Sequence, residues 1–141
     1  MNADKTKYTT LNRVTYKNLR TKKLGSLISD CEDIKYRISQ ANLAFKKMTR
    51  LWLQHLHITP TKIRLYNACI KPIATYNMST SGLSERALNS LNFMHRRHLR
   101  YLSGYHYPKL ISNANLYRLC KTDMLFLDIY TARWKLFGHI L

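Results

Sequence analysis

An apolar stripe with cations beside it runs through residues 33 to 56. Apolar side chains recur there at steps of three and four, the period of one helix face, at Ile34, Ile38, Ala41, Phe45, Met48 and Trp52. Lys46 and Lys47 fall off that face, and no acidic residue lies between Asp33 and Glu85. The stretch therefore predicts a long amphipathic helix that needs a helical neighbour on one side and favours a polyanion on the other.

The charge of the whole chain is large and one-sided. The 141 residues include 24 Lys or Arg and 7 Asp or Glu, which gives a formal net charge of +17. Between residues 34 and 122, Glu85 is the only acid beside fifteen cations, which are Lys35, Arg37, Lys46, Lys47, Arg50, Lys62, Arg64, Lys71, Arg86, Arg96, Arg97, Arg100, Lys109, Arg118 and Lys121. Repulsion on this scale disfavours an isolated compact fold, so we expect a neutralising partner, with nucleic acid the first candidate. A merely solvated basic surface is the alternative.

Capping residues divide the middle of the chain into further helices. Thr59 followed by Pro60 is typical of a helix start, and Pro72 should kink or end that helix. Ser84 is the expected N-cap of a third helix, and Gly104 is its expected stop. The sequence therefore predicts three basic helices in succession.

Weaker signals flank these three helices. A short helix should start at Ser112, and a last one should cover residues 124–140. Residues 7–11 and 14–19 are short runs containing Tyr, Thr or Val that suggest a small hairpin. The apolar share of 45% is enough for a core. We expect a mainly α fold, with a small N-terminal β-hairpin followed by a bundle of about five helices.

Five blocks in order resemble the C-terminal part of reverse transcriptases from non-LTR (LINE-type) retrotransposons. They are KLGSLISD, a basic helix ending in RLW, ITPTKIRLYNACIKPIATY, LNFMHRRHLRYLSG and ARWKLFGHIL. The family's K-x-R-L-Y helix with its later Pro and Tyr is matched by Lys62, Arg64, Leu65, Tyr66, Pro72 and Tyr76. Its H-x-R-x-L-R-x-x-x-G helix is matched by His95, Arg97, Leu99, Arg100 and Gly104. Its R-x-x-W-x-G-H segment is matched, with altered spacing, by Arg133, Trp134, Gly138 and His139.

The resemblance covers residues 11 to 141 and implies a thumb, which in the family holds the template–primer duplex. It divides the chain into a palm-exit remnant with the hairpin (residues 1–29), a basic three-helix thumb-like bundle (residues 30–105) and a C-terminal helical extension (residues 106–141). The chain departs from the family at Lys23, where an aromatic residue is usual, and at Ser81, where a Trp is usual.

The catalytic centre of the family has no counterpart in this sequence. Those polymerases use metal-bound aspartates, including an Asp-Asp pair, and this chain has no adjacent Asp-Asp. We therefore expect no catalytic residue, metal or cofactor, and polymerisation would need a palm and fingers segment supplied elsewhere. His95 and His98 form an HxxH pair without further ligands at useful spacing. We expect His95 to be packed or capped and His98 to belong to the cationic face.

The expected ligand contacts are phosphate contacts from cations and base contacts from aromatic rings. The candidate phosphate-binding residues, with one glycine for close backbone approach, are Lys22, Lys23, Gly25, Lys46, Lys47, Arg50, Lys62, Arg64, Lys71, Arg96, Arg97 and Arg100. The aromatic residues expected to pack in the core are Phe45, Trp52, Tyr66 and Trp134. The candidates for base stacking are Tyr101, Tyr105 and Tyr107.

Two other functions stay open at this point. The chain could be a domesticated standalone DNA- or RNA-binding protein, with residues 96–100 as the recognition segment of a helix-turn-helix. It could also be a non-functional pseudogene product. Three scattered cysteines without a CxxC favour a reducing compartment, and no apolar run approaches the ~20 residues of a membrane helix. We expect a nuclear and/or cytoplasmic protein that is not secreted and has no membrane partner.

Overall fold

Seven helices make up most of the part of the chain that the structure describes. The computed structural model describes residues 22–23, 26–27, 30–54, 59–80 and 82–140. In chain order the helices are α1 (Asp30–Lys47), α2 (Thr49–Leu53), α3 (Thr59–Cys69), α4 (Lys71–Thr75), α5 (Glu85–Leu102), α6 (Asn113–Cys120) and α7 (Leu125–Ile140). Helix α5 is central, because it packs against α1, α3, α6 and α7. The prediction of a mainly helical bundle is confirmed.

A minimal antiparallel ladder precedes α1. Strand β1 (Lys22–Lys23) pairs with strand β2 (Ser26–Leu27), with Lys22 opposite Leu27. The hairpin predicted from residues 7–11 and 14–19 lies outside the described residues and stays a prediction.

The apolar stripes meet in one core around α5. The predicted stripe of α1 and α2 is buried, with Ala41 inaccessible and Trp52 4% exposed. It packs with Leu99 of α5, Leu116 of α6 and Leu125 of α7, which are all inaccessible to solvent. Burying an aliphatic or aromatic side chain stabilises a fold by roughly 1.5 to 3 kcal/mol. The core therefore joins α6 and α7 to the basic helices, and the predicted domain boundaries stay predictions.

Two of the predicted helices are interrupted. The Met48 N–H is shared between the carbonyls of Ala44 and Phe45, both at 3.2 Å, and α2 resumes at once. Helix α3 ends at Cys69 and α4 begins at Lys71, so that Pro72 lies in a first turn. A proline N–H is not needed there, because first-turn donors have no partner within the helix. The break predicted at Pro72 is confirmed.

The predicted caps hold the central helix at both ends. Ser84 Oγ accepts a hydrogen bond from the Ala87 N–H at 3.4 Å. Gly104, just after the C-cap Ser103, has a φ of +73°, a conformation that strongly favours glycine. Ser112 caps α6 in the same way, accepting from the Asn115 N–H at 3.3 Å. These local signals fix where α5 and α6 begin.

The second half of α7 extends past the core. Leu125 and Ile129 are buried, but Trp134 is 74% exposed and Phe137 is 56% exposed. The prediction that Trp134 packs in the core is wrong. Trp134 is exposed because the apolar period of α7 continues beyond the turns that bury side chains against α5.

Candidate nucleic-acid interface

Two adjoining cavities lie between α1 and α5. The first encloses about 580 Å³ and the second about 610 Å³. They share Asn42 of α1 with Phe93 and Arg97 of α5. We call their combined surface the α1–α5 groove.

Helical spacing places the groove residues on one flank of each helix. Steps of three or four residues return to the same side of a helix. The α1 and α2 side contributes Ile38, Asn42, Phe45, Lys46 and Thr49, and the α5 side contributes Asn89, Phe93, Arg96, Arg97, Arg100 and Tyr101. Each flank borders the buried stripe of its helix, so packing of α1 on α5 builds the groove.

Four of the predicted phosphate-binding cations line the groove. Lys46, Arg97 and Arg100 line the second cavity, and Arg96 joins Arg97 at the first. We call these four residues the groove cations. Among the residues that the structure describes, no Asp or Glu lines either cavity. A concave wall with one sign of charge concentrates counter-ions, which makes it suited to a polyanion.

One groove cation is held in place by the neighbouring helix. Arg100 Nη2 donates to Oδ1 of Asn113 at 2.6 Å, at the start of α6. A guanidinium has five N–H donors, so this bond orients the group and leaves donors for a phosphate.

A stacked pair of rings forms the floor of the second cavity. The rings of Phe45 and His98 lie parallel, 4.0 Å apart between centroids. His98 is 4% exposed, and its Nε2 is 2.9 Å from Oδ1 of Asn42. Burial, with a smaller effect of the nearby Arg97 charge, lowers the pKa of His98 to about 4. The prediction that His98 belongs to the cationic face is wrong, because the ring is buried and neutral at pH 7.

The second histidine of the HxxH pair lies in the core. His95 is inaccessible to solvent, and its Nδ1 is 2.9 Å from the hydroxyl of Tyr66. Burial and then the Lys71 charge lower the pKa of His95 to about 4. Burial also raises the pKa of Tyr66 above its usual range. The prediction of a packed His95 is confirmed.

Exposed and partly exposed aromatic side chains line the second cavity. Tyr101 and Tyr105, both predicted candidates for stacking, line the second cavity, whereas the third candidate, Tyr107, does not and is 92% exposed. Phe93 is 64% exposed in the wall of both cavities and is not among the residues predicted from the sequence. A signal was present: Phe93 lies four residues before Arg97 and off the buried stripe.

Two of the predicted phosphate-binding lysines make intramolecular contacts instead. Lys62 Nζ donates to the carbonyl oxygen of Trp52 at 2.6 Å, at the end of α2. Lys71 Nζ lies 2.6 Å from Oδ2 of Asp128, linking α4 to α7. Neither lysine lines the groove.

The remaining predicted residues are dispersed. Lys47 and Arg50 are exposed outside both cavities. Arg64 lines a separate cavity of about 550 Å³ between α3 and α6. Lys22 and Lys23 lie in β1. Gly25 lies outside the described residues.

Comparison with known proteins gives no relative. No protein-family model, no curated protein and no solved structure matches this chain. Among the described residues, no helix is both long and apolar enough to cross a membrane, and no group of three His, Cys, Asp or Glu could hold a metal ion.

Proposed function

We propose that this chain binds nucleic acid through the α1–α5 groove, as a thumb-like module of the non-LTR reverse transcriptase type. The observation that carries the proposal is the set of four groove cations in a lining whose described residues include no acid. Contacts of this kind are made to phosphates and give affinity without reading sequence. The module would hold a template–primer duplex, or RNA or DNA in general, without a polymerase active site of its own.

The residues of the motif H-x-R-x-L-R-x-x-x-G serve two different purposes in this chain. Of its five matching residues, Arg97 and Arg100 line the groove, whereas His95 and Leu99 are buried and Gly104 ends α5. One motif thus supplies both the packing of α5 and two phosphate-binding candidates. This supports assigning α5 and its groove to a thumb-like role.

Other parts of the proposal rest on the sequence. They are the N-terminal hairpin of a palm-exit segment, a palm and fingers segment as partner, and a nuclear or cytoplasmic location. Cys69 and Cys120 are free thiols, which is compatible with a reducing compartment.

A standalone helix-turn-helix protein is the alternative that the packing makes less favourable. A recognition helix must offer a broad exposed face to the major groove of DNA. Helix α5 is instead packed by four other helices, and His98 and Leu99 within residues 96–100 are buried. A sequence preference that depends on Arg96, Arg97 and Arg100 but not on Lys46 would favour this alternative over a thumb-like clamp.

The salt dependence of duplex binding tests the proposal. If four groove cations meet phosphate, the slope of log K against log[salt] should be about −3 to −4, at about 0.7 to 0.9 per contact. The triple variant K46Q/R96Q/R97Q should lower the magnitude of that slope by about 2 to 3. Fluorescence anisotropy of a labelled duplex between 50 and 300 mM salt gives both values.

A variant with the same change in charge provides the control. Lys35, Lys109 and Lys135 are exposed and line neither cavity. The variant K35Q/K109Q/K135Q should therefore keep most of the wild-type slope. Equal losses in the two triple variants would mean that net charge alone binds nucleic acid and would reject the groove. Absence of duplex binding in the wild type would favour an inert pseudogene product.

Primer extension tests the absence of catalysis. The chain with Mg²⁺, deoxynucleotides and a primed template should extend no primer, because no adjacent Asp-Asp is present to align two metal ions. Extension by the purified chain, lost on removal of Mg²⁺, would contradict the assignment of a module without its own active site.

A further inference from the structure

The second cavity of the α1–α5 groove has a chemistry that phosphate binding alone does not need. Phe93 is 64% exposed and lies one helical turn from Arg97. Tyr101 and Tyr105 line the same cavity. A large exposed ring in a lining that also holds cations gains little from a bare phosphate, but it can stack on a nucleobase.

The Tyr101 ring is held by two neighbouring rings. The Tyr101 ring meets Phe45 edge-on at 5.5 Å between centroids, and meets His106 in a similar geometry at 5.5 Å. The Phe45 ring is in turn stacked on His98. Because these contacts already restrict the Tyr101 side chain, it loses little conformational entropy when a ligand stacks on its ring.

The floor also offers polar recognition. The neutral His98 ring donates from Nε2 to Oδ1 of Asn42. That bond fixes the Asn42 side chain in the lining of both cavities and leaves its amide NH₂ as a donor. The cavity therefore combines a stacking surface, a hydrogen-bond donor and cations.

The second cavity, of about 610 Å³, lies in the range of pockets for small molecules, so a double helix cannot enter it. A duplex can place phosphates along the groove edge, but only an unpaired nucleotide can enter. We propose that the second cavity binds one unpaired nucleobase, so that the protein prefers a duplex with a single-stranded overhang. This inference rests on the proposed nucleic-acid binding and names its preferred substrate.

The test compares three oligonucleotides with the same duplex. One is blunt, one has a three-nucleotide overhang, and one has the same overhang built from abasic sites, which keeps the phosphates and removes the bases. The intact overhang should bind about five-fold or more tightly than the abasic overhang, as one stacked base would give. Blunt and abasic forms should differ only through the added phosphates.

Two matched variants locate the base contact. F93A should bring the ratio of affinities for intact and abasic overhangs close to one, both measured on the same variant, so that any general change in duplex binding cancels. F137A removes an exposed ring of α7 outside the groove and should change neither value. Thermal unfolding of both variants checks that they fold like the wild type.

Each outcome decides a different claim. Equal binding of intact and abasic overhangs, with the salt-dependent duplex binding retained, rejects the base pocket and keeps the proposed function. Failure to bind any oligonucleotide rejects both. Displacement of the overhang by an acidic, aromatic-containing peptide at lower concentration than by unlabelled oligonucleotide would make the cavity a peptide site and reject the inference.

Discussion

Lowering the pH from 7 to 4 should remove several kcal/mol from the free energy of unfolding. His95 and His98 have pKa values of about 4 in the folded protein, mainly because of burial, against 6.5 when exposed. Between pH 6.5 and pH 4, the two histidines are therefore mostly protonated in the unfolded chain and mostly neutral in the folded protein. The contribution of the two neutral histidines to the free energy of unfolding is fully present above pH 6.5. It declines as the pH falls, by roughly 3 kcal/mol for each histidine at pH 4.

Urea denaturation at a series of pH values measures this loss. The variant H98F removes one titrating ring and keeps an aromatic ring against Phe45, so about half of the pH dependence should disappear. Its stability at pH 7 should be somewhat lower, because Asn42 loses its partner. H106Q, at an exposed histidine, should keep the full wild-type dependence. A free energy of unfolding that stays constant from pH 7 to pH 5 would show that the two rings are not buried as described.

Local signals in the sequence were sufficient for the two ends of α5 and for the break before Pro72, but not for the interruption at Met48. Ser84 and Gly104 act within a single turn, through a cap bond and a backbone conformation with positive φ. Pro72 acts through the N–H that it lacks. None of these effects depends on what the helix packs against, so they could be predicted without knowing the fold.

The placement of His98 could also have been predicted. Leu91, His95, His98 and Leu102 follow one another at steps of four, three and four, which puts His98 on the buried stripe of α5. Its neighbours Arg97 and Arg100 lie on the flank instead. The charge of adjacent residues suggested a cationic role, whereas the helical period indicated a packed ring.

The use of Lys62 and Lys71 could not be read from the sequence. Their partners are the carbonyl group of Trp52 and the carboxylate of Asp128, which approach only when α2 meets α3 and α7 meets α4. Periodicity assigns a residue to a face of its own helix but does not identify the group opposite. The same limit applies to Trp134, because the sequence does not show how far along α7 the contact with α5 extends.

Replacing Leu116 with alanine should lower the free energy of unfolding by about 2 to 5 kcal/mol, the range for a buried leucine that leaves a cavity. Leu116 is inaccessible to solvent in the core shared by α5 and α6. Leu119 lies one turn further along α6 and is 50% exposed, so L119A should cost less than about 1 kcal/mol. The two variants have the same change in helix propensity, and their difference isolates burial.

Trp52 fluorescence tests whether the loss of stability in L116A extends to the basic helices. The chain has two tryptophans, and a W134F background removes the exposed one, leaving Trp52, which is 4% exposed in the core. Because α6 shares that core, L116A should shift the denaturation midpoint reported by Trp52 as far as the midpoint reported by circular dichroism. An unchanged Trp52 midpoint would mean that residues 106–141 unfold by themselves. The base pocket would then have to be sought on residues 30–105 alone, without the bond from Asn113 that orients Arg100.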